Sequence, residues 1–300
     1  MSEAFARYTP LVERTFALRA FNECETEINQ HFWSFKVISE YSRFIARAEQ
    51  AKSPNTPTSV VFHATGPDAC RIPPTVSDWL SASDELENWL RLSALVSASS
   101  YLEVYLRQVV RSALMSDPLC RFSLARTLDG TKLLKANREM PYEKELESVT
   151  KGSWESRSAA FKSLFGSAPH ILTSKANLSK LEKIRNMRND FAHGFGRSLD
   201  VASPTSSSIG PSSRLTQRKF IEYVAALSKT AMGIDRFLID NFIGNFEFIV
   251  FYHEWKSKPI LAEDRKYTAP RALQRAFNRD ARCPTSTEFC AGLIKFYDEI

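Results

Sequence analysis

Apolar residues recur at helical spacing along most of the chain. Between Ser34 and Lys52, the positions Val37, Ile38, Tyr41, Phe44 and Ile45 predict a helix. The following SPNTPTS ends it, because each proline lacks an amide donor and clashes with the preceding turn. SVVFHATG, residues 59–66, reads as a short strand closed by glycine, and a second break over 66–78 sets a boundary near Val76. A much longer helix then opens at Ser81 or Asp84, each followed three places on by an acidic residue. Its stripe of Leu86, Trp89, Leu90, Leu95, Val96, Leu102, Leu106, Val109 and Val110 leads toward Leu114 or breaks near the serines at 97, 99 and 100. Asp117-Pro118 stops it either way.

Further helices are expected over Ser153–Phe165, with Trp154, Phe161, Leu164 and Phe165 inward, and over Asn177–Ala192, with Leu178, Leu181, Ile184, Met187 and Phe191 inward. Gly194 and Gly196 let the chain turn away. A polar, small-residue loop over 198–213 leads into a helix from Leu215 to Asn241. NFEFIVFYHEW, residues 245–255, has the composition of a strand, and helical pieces follow near Ala269–Asn278 and Thr287–Asp298. The expected fold is therefore mainly α. A helical bundle occupies 81–243, between an N-terminal region, 1–76, and a C-terminal extension, 244–300, whose α+β character is left open.

Composition narrows the class without naming a function. The 300 residues suffice for one large or two modest domains without staples. A net charge of +6 permits a polyanionic partner but does not demand one. No apolar run reaches 18 residues, and the first residues lack the pattern of a signal peptide, so a cytoplasmic protein outside the membrane is expected. Five scattered cysteines (Cys24, Cys70, Cys120, Cys283 and Cys290) form no CxxC pair, which leaves free thiols and neither metal nor cofactor as the expectation. Phosphate-loop, HExxH and GxSxG motifs are absent.

The chemistry concentrates in LEKIRNMRNDFAHGFGR, residues 181–197. Arg188, Asn189, Asp190 and His193 gather at the end of a helix otherwise patterned for burial. Arg188 and His193 stand about 140° apart on an ideal helix, whereas Asn189 and His193 share a face. Convergence of Arg188 and His193 thus needs either a distorted helix end, which Gly194 permits, or a second subunit. The bland alternative is a salt-bridged Arg188 and a His193 that caps the helix C-terminus.

RNDFAHG, together with LSKLEKIRNM before it and SYLEVYLRQVV at 100–110, resembles the HEPN superfamily over about residues 81–243. The resemblance implies a metal-independent endoribonuclease acting as a homodimer, with two Arg–His pairs lining one composite cleft. It also implies a defence or toxin–antitoxin setting with a cognate partner protein. Arg188 and His193 are then the catalytic candidates, with Asn189 orienting the imidazole or holding a phosphate oxygen. Supporting candidates are Asp190, which neutralises an arginine such as Arg185, and Glu103 on the long helix. Candidate RNA contacts are Arg185, Arg107 and Arg111. Near the C-terminus, Arg271, Arg275, Arg279 and Arg282 form a basic stripe at spacing four, four and three, opposite Leu273, Phe277 and Ala281. Two other readings stay open: a nuclease-silent HEPN domain that binds RNA or protein, and an unrelated helical structural protein.

Overall fold

The computed structural model describes residues 4–63, 65–194, 213–259, 261 and 264–300, and leaves the side chains of 192–194 outside that description. The first helices are α1 (Phe16–Gln50), α2 (Thr58–Phe62), α3 (Val76–Ser116), α4 (Gly130–Lys135), α5 (Glu143–Thr150) and α6 (Trp154–Phe165). They are followed by α7 (His170–Thr173), α8 (Lys175–Gly194), α9 (Gln217–Leu238), α10 (Phe246–Lys256), α11 (Ala269–Asp280) and α12 (Thr287–Glu299). The protein is mainly α-helical, and among the described residues its only β feature is an isolated bridge between Pro57 and Thr75. No helix of those residues is long and apolar enough to cross a membrane.

Both expected strands are helices. SVVFHATG contributes α2, which ends where His63 takes a left-handed conformation. NFEFIVFYHEW is α10, with Phe246, Phe248, Ile249 and Tyr252 buried on a broad face. A short apolar run fits either element. Without a neighbouring strand among the described residues, extended backbone would leave its amides and carbonyls unpaired, whereas a helix pairs them internally.

Helices α1, α3 and α8 also run further than periodicity suggested. The cap of α3 is Thr75, whose Oγ1 accepts the Asp78 amide at 3.2 Å and donates to the Asp78 carboxylate at 2.7 Å. The helix continues through its serines, where Ala98 and Ser99 are buried, and stops before Asp117-Pro118. In α1 the residues that betray the helix are not the ones it buries. Phe32, Ser39 and Ala46 face inward, while Val37, Ile38, Tyr41 and Phe44 are exposed. The 198–213 loop lies outside the described residues except for Ser213.

The chain forms two compact units. The first comprises residues 1–21, 102–178 and 228–300. Its core holds Phe248, Ile249 and Tyr252 of α10, Leu273 and Phe277 of α11, and Phe289, Leu293 and Tyr297 of α12. Phe251 stacks on Phe277 with ring centroids 4.4 Å apart. The segment before α1 is strapped into this unit by polar contacts. Asn245 donates to the Ala6 and Thr9 carbonyls and accepts the Leu11 amide. Gly244, at φ 54°, lies so close to this strap that a Cβ there would stand 2.5 Å from the Arg7 carbonyl oxygen.

Two carboxyls hold the start of α1 in the same unit: Asp235, which is buried, and Glu247, which is half-buried. Asp235 accepts the Thr15 amide and hydroxyl and the Tyr105 hydroxyl. Glu247 accepts the Phe16 amide at 2.8 Å and the Ser112 hydroxyl at 3.3 Å. Burial, reinforced by the charge of Asp235, pushes the Glu247 carboxyl from an ordinary 4.5 up to about 7. The folded chain therefore holds a proton that the unfolded chain has released, so stability falls with pH across that window. This contribution is complete below about pH 4.5, shrinks as pH rises toward 7, and amounts at most to about 3.5 kcal/mol at roughly 1.4 kcal/mol per pH unit. Glu247→Gln should flatten this part of the profile and raise stability above pH 7. Urea unfolding of both proteins at pH 5 and 8 checks it; parallel profiles would refute it.

The second unit comprises residues 22–101 and 179–227 and draws on α1, α3, α8 and α9. Within it, α1 meets α3 through Lys36 and Ser39 on Glu87, and meets α9 through the Phe32–Phe220 ring pair at 4.6 Å. Helix α8 meets α3 through Trp89–Phe191 and meets α9 through Lys180–Glu222. Buried Leu92, Leu95, Leu181, Ile184, Leu215 and Leu227 supply its aliphatic interior.

Candidate functional site: the end of helix α8

Helix α8 is organised by Leu181, Ile184 and Phe191, which are all buried. Arg188 lies seven residues after Leu181 and four after Ile184, so it leaves the helix on their inward side and is half-buried. Its Nη1 donates to Asn189 Oδ1 at 3.3 Å, so the structure brings these two candidates into contact. Asp190 is exposed on another face. The backbone stays helical through Gly194, so no break before that glycine swings position 193 toward Arg188. The His193 side chain lies outside the described residues.

The suggested pairing of Asp190 with Arg185 is replaced by a local one. Arg185 Nε donates to Glu182 Oε1 at 2.8 Å, and this hydrogen bond raises the guanidinium pKa. Glu182 lies one turn back on the same face, nearer than a residue five places ahead.

The remaining candidates belong to the first unit, whereas Arg185, Arg188, Asn189, Asp190 and His193 belong to the second. Glu103 accepts from Arg157 at 3.2 Å, so it balances a cation that is itself buried. Arg107 pairs with Glu143, and Arg111 with Glu139. On α11, Arg275 and Arg279 converge on the Asp264 carboxylate at 2.6 and 3.0 Å, which holds that carboxyl below its usual range. Arg271 bonds to Gln274. Arg282 is not part of the stripe: α11 ends at Asp280 and Arg282 takes a left-handed conformation at φ 47°. The buried side of α11 is Ala272, Leu273, Ala276 and Phe277, and Ala281, at the helix C-cap, packs half-buried against the same core.

Periodicity also missed residues that hold the entry to α9. Asn88 is 2% exposed, and its amide donates to the Ser213 carbonyl while its Oδ1 accepts the Leu215 amide, both at 2.9 Å. Arg91 Nε donates to the Leu215 carbonyl at 2.6 Å and its Nη1 bonds Glu87. At Glu87 burial works against ionisation, but the Ser39 hydroxyl and the Lys36 and Arg43 charges outweigh it and hold the carboxyl low. The available signal was an asparagine four residues before Leu92 and seven before Leu95, in register with buried positions. Among the described residues, no group of three or more His, Cys, Asp or Glu side chains is placed to hold a metal ion.

Compared with known proteins, the chain matches no family model, no curated sequence and no solved structure.

Proposed function

We propose that the protein is a metal-independent endoribonuclease of HEPN type, working in a defence or toxin–antitoxin setting with a cognate partner protein. The observation that carries this reading is the uninterrupted helical end of α8, where Arg188 contacts Asn189 one turn before His193. Cleavage proceeds by attack of a ribose 2′-hydroxyl on the adjacent phosphorus. The base removes the hydroxyl proton, the P–O5′ bond breaks, and an acid protonates the departing 5′-oxygen, leaving a 2′,3′-cyclic phosphate. Histidine suits both proton transfers because its ordinary pKa lies near neutrality. Arginine suits the non-bridging oxygens because its fork remains charged and binds phosphate through two hydrogen bonds.

Helical geometry through Gly194 favours assembly of the site from two chains, since one straight helix holds the 188 and 193 directions apart. Purified protein on single-stranded and structured RNA, with end-group analysis, tests the reaction. Cyclic phosphate ends formed in excess EDTA, and resistance of a substrate lacking the 2′-hydroxyl at the cut site, are the expected results. A divalent-metal requirement would reject the mechanism.

A nuclease-silent domain that binds RNA or protein is the second reading. It is favoured by the carboxylate partners of Arg107, Arg111, Arg185, Arg275 and Arg279, which occupy charges that RNA would otherwise meet. Arg271 separates RNA binding from a purely structural stripe, because its bond to Gln274 leaves the Asp264 clamp untouched. Arg271→Glu should weaken RNA binding without sequence preference and reduce the slope of log K against log salt by about one. A salt titration that superimposes on the wild type would assign α11 to packing alone.

A further inference from the structure

The most unusual surface of the second unit is on α1. A surface helix ordinarily buries one apolar stripe and exposes a polar one. Helix α1 carries two apolar stripes. Phe32 and Ala46 are buried, while on the opposite side Trp33, Val37, Tyr41 and Phe44 are 42%, 70%, 68% and 72% exposed. With spacings of four, four and three, these four side chains fall within about 80° of one another on an ideal helix and extend over roughly 17 Å. Ile38, 65% exposed, carries the apolar surface sideways into a groove of about 230 Å³ between α1 and α3, lined also by Phe35, Trp79 and Leu86. Apolar side chains scattered singly on a surface need no explanation, but a contiguous run of this kind marks a contact.

We infer that this stripe pairs antiparallel with the same stripe of a second copy of the chain. Its spacing is self-complementary. Turning α1 end for end about residue 39 sets Val37 of one copy opposite Tyr41 of the other and brings Trp33 within one residue, about 1.5 Å of helix rise, of the level of Phe44. Large rings then meet at both ends, and a small side chain meets a ring on each side of the centre, as an isologous two-fold contact requires. Charge agrees with this direction. The same operation brings Lys52, in the turn after α1 and paired there with Glu49 of its own chain, to within one residue of the level of Glu27 of the other copy. Five such side chains cover on the order of 500 Å² per copy. Doubling gives about 1,000 Å², where specific interfaces begin.

This pair goes beyond the ribonuclease reading and does not rest on it. In the second unit α1 touches α3 and α9, and so does α8. Joining two copies through α1 is thus a contact of its own, separate from any meeting of the α8 ends.

The test is the mass of the full chain by sedimentation velocity and light scattering from about 1 to 100 µM. The wild type should sediment as a dimer or a multiple of one. Val37→Glu and Phe44→Glu, at exposed positions, should each shift association by at least tenfold while leaving helicity and melting unchanged. Lys52→Glu should loosen the pair a few-fold, and adding Glu27→Lys should restore it. A wild-type monomer throughout the range overturns the proposal, as does association that neither glutamate variant disturbs. Loss of association in Lys52→Glu that Glu27→Lys deepens overturns the antiparallel direction. RNA cleavage is read separately on the same samples, so failure of the ribonuclease reading leaves the mass measurement standing.

Discussion

His193→Ala should lower RNA cleavage by about 10²- to 10⁴-fold, the usual contribution of a positioned acid or base, while leaving the fold intact. Position 193 lies in the last turn of α8, two residues beyond buried Phe191 and outside the Leu181–Ile184 register. Truncation there should remove proton transfer. Arg188→Lys should also impair cleavage, because a compact ammonium cannot reproduce two parallel hydrogen bonds to phosphate. Arg188→Lys also disturbs the contact to Asn189, so its effect should be accompanied by a small loss of stability. If the site is shared between chains, mixing inactive Arg188 and His193 variants should restore a fraction of the activity through hybrid dimers. Initial rates on a defined RNA, measured beside circular dichroism, decide the matter. Undiminished cleavage by His193→Ala would remove this histidine from the chemistry.

Arg7→Ala is expected to produce the largest loss of stability, about 3–5 kcal/mol, the range for breaking a buried ion pair from one side. The Arg7 side chain is 6% exposed. Its Nε bonds Asp129 at 2.9 Å, Nη1 bonds the Ile243 carbonyl at 2.8 Å, and Nη2 bonds Ser116 Oγ at 2.8 Å. The guanidinium also lies over the rings of Tyr8 and Phe246, 4.6 and 5.1 Å from their centroids. Removing it strands the Asp129 carboxylate, which keeps only its bonds from Thr131, and opens the strap against Gly244. Because a domain holds only about 5–15 kcal/mol in total, this one change should shift the urea midpoint strongly. A loss below about 1 kcal/mol would mean the strap is peripheral to the fold.

Local chemistry was enough to place several elements. Ser153 reads as the start of a helix, and its hydroxyl caps α6 by accepting the Ser156 amide, while Gly166 closes the helix in a left-handed conformation. Asp117-Pro118 ends α3, and the three- and four-residue spacing of Leu181, Ile184, Met187 and Phe191 locates α8. These features work because caps, proline and glycine act over one turn, and a buried helical face repeats every 3.6 residues. The cluster of Arg188, Asn189, Asp190 and His193 was visible for the same reason: it interrupts a burial pattern.

Other features depended on neighbours distant in sequence. Whether NFEFIVFYHEW was strand or helix turned on whether another strand lay beside it, and α11 and α12 fill that place instead. Which stripe of α1 is inward was decided by Glu87 and Phe220, since both of its faces are apolar enough to bury. The basic stripe on α11 was legible as spacing, but Asp264 spends two of its charges on packing. Desolvation of Glu247 and Asp235 left no local trace either, because a carboxyl becomes costly only once distant segments have excluded water around it. Periodicity reports how a helix can be buried; which face meets a partner, and which charges are already neutralised, is settled only when the helices pack.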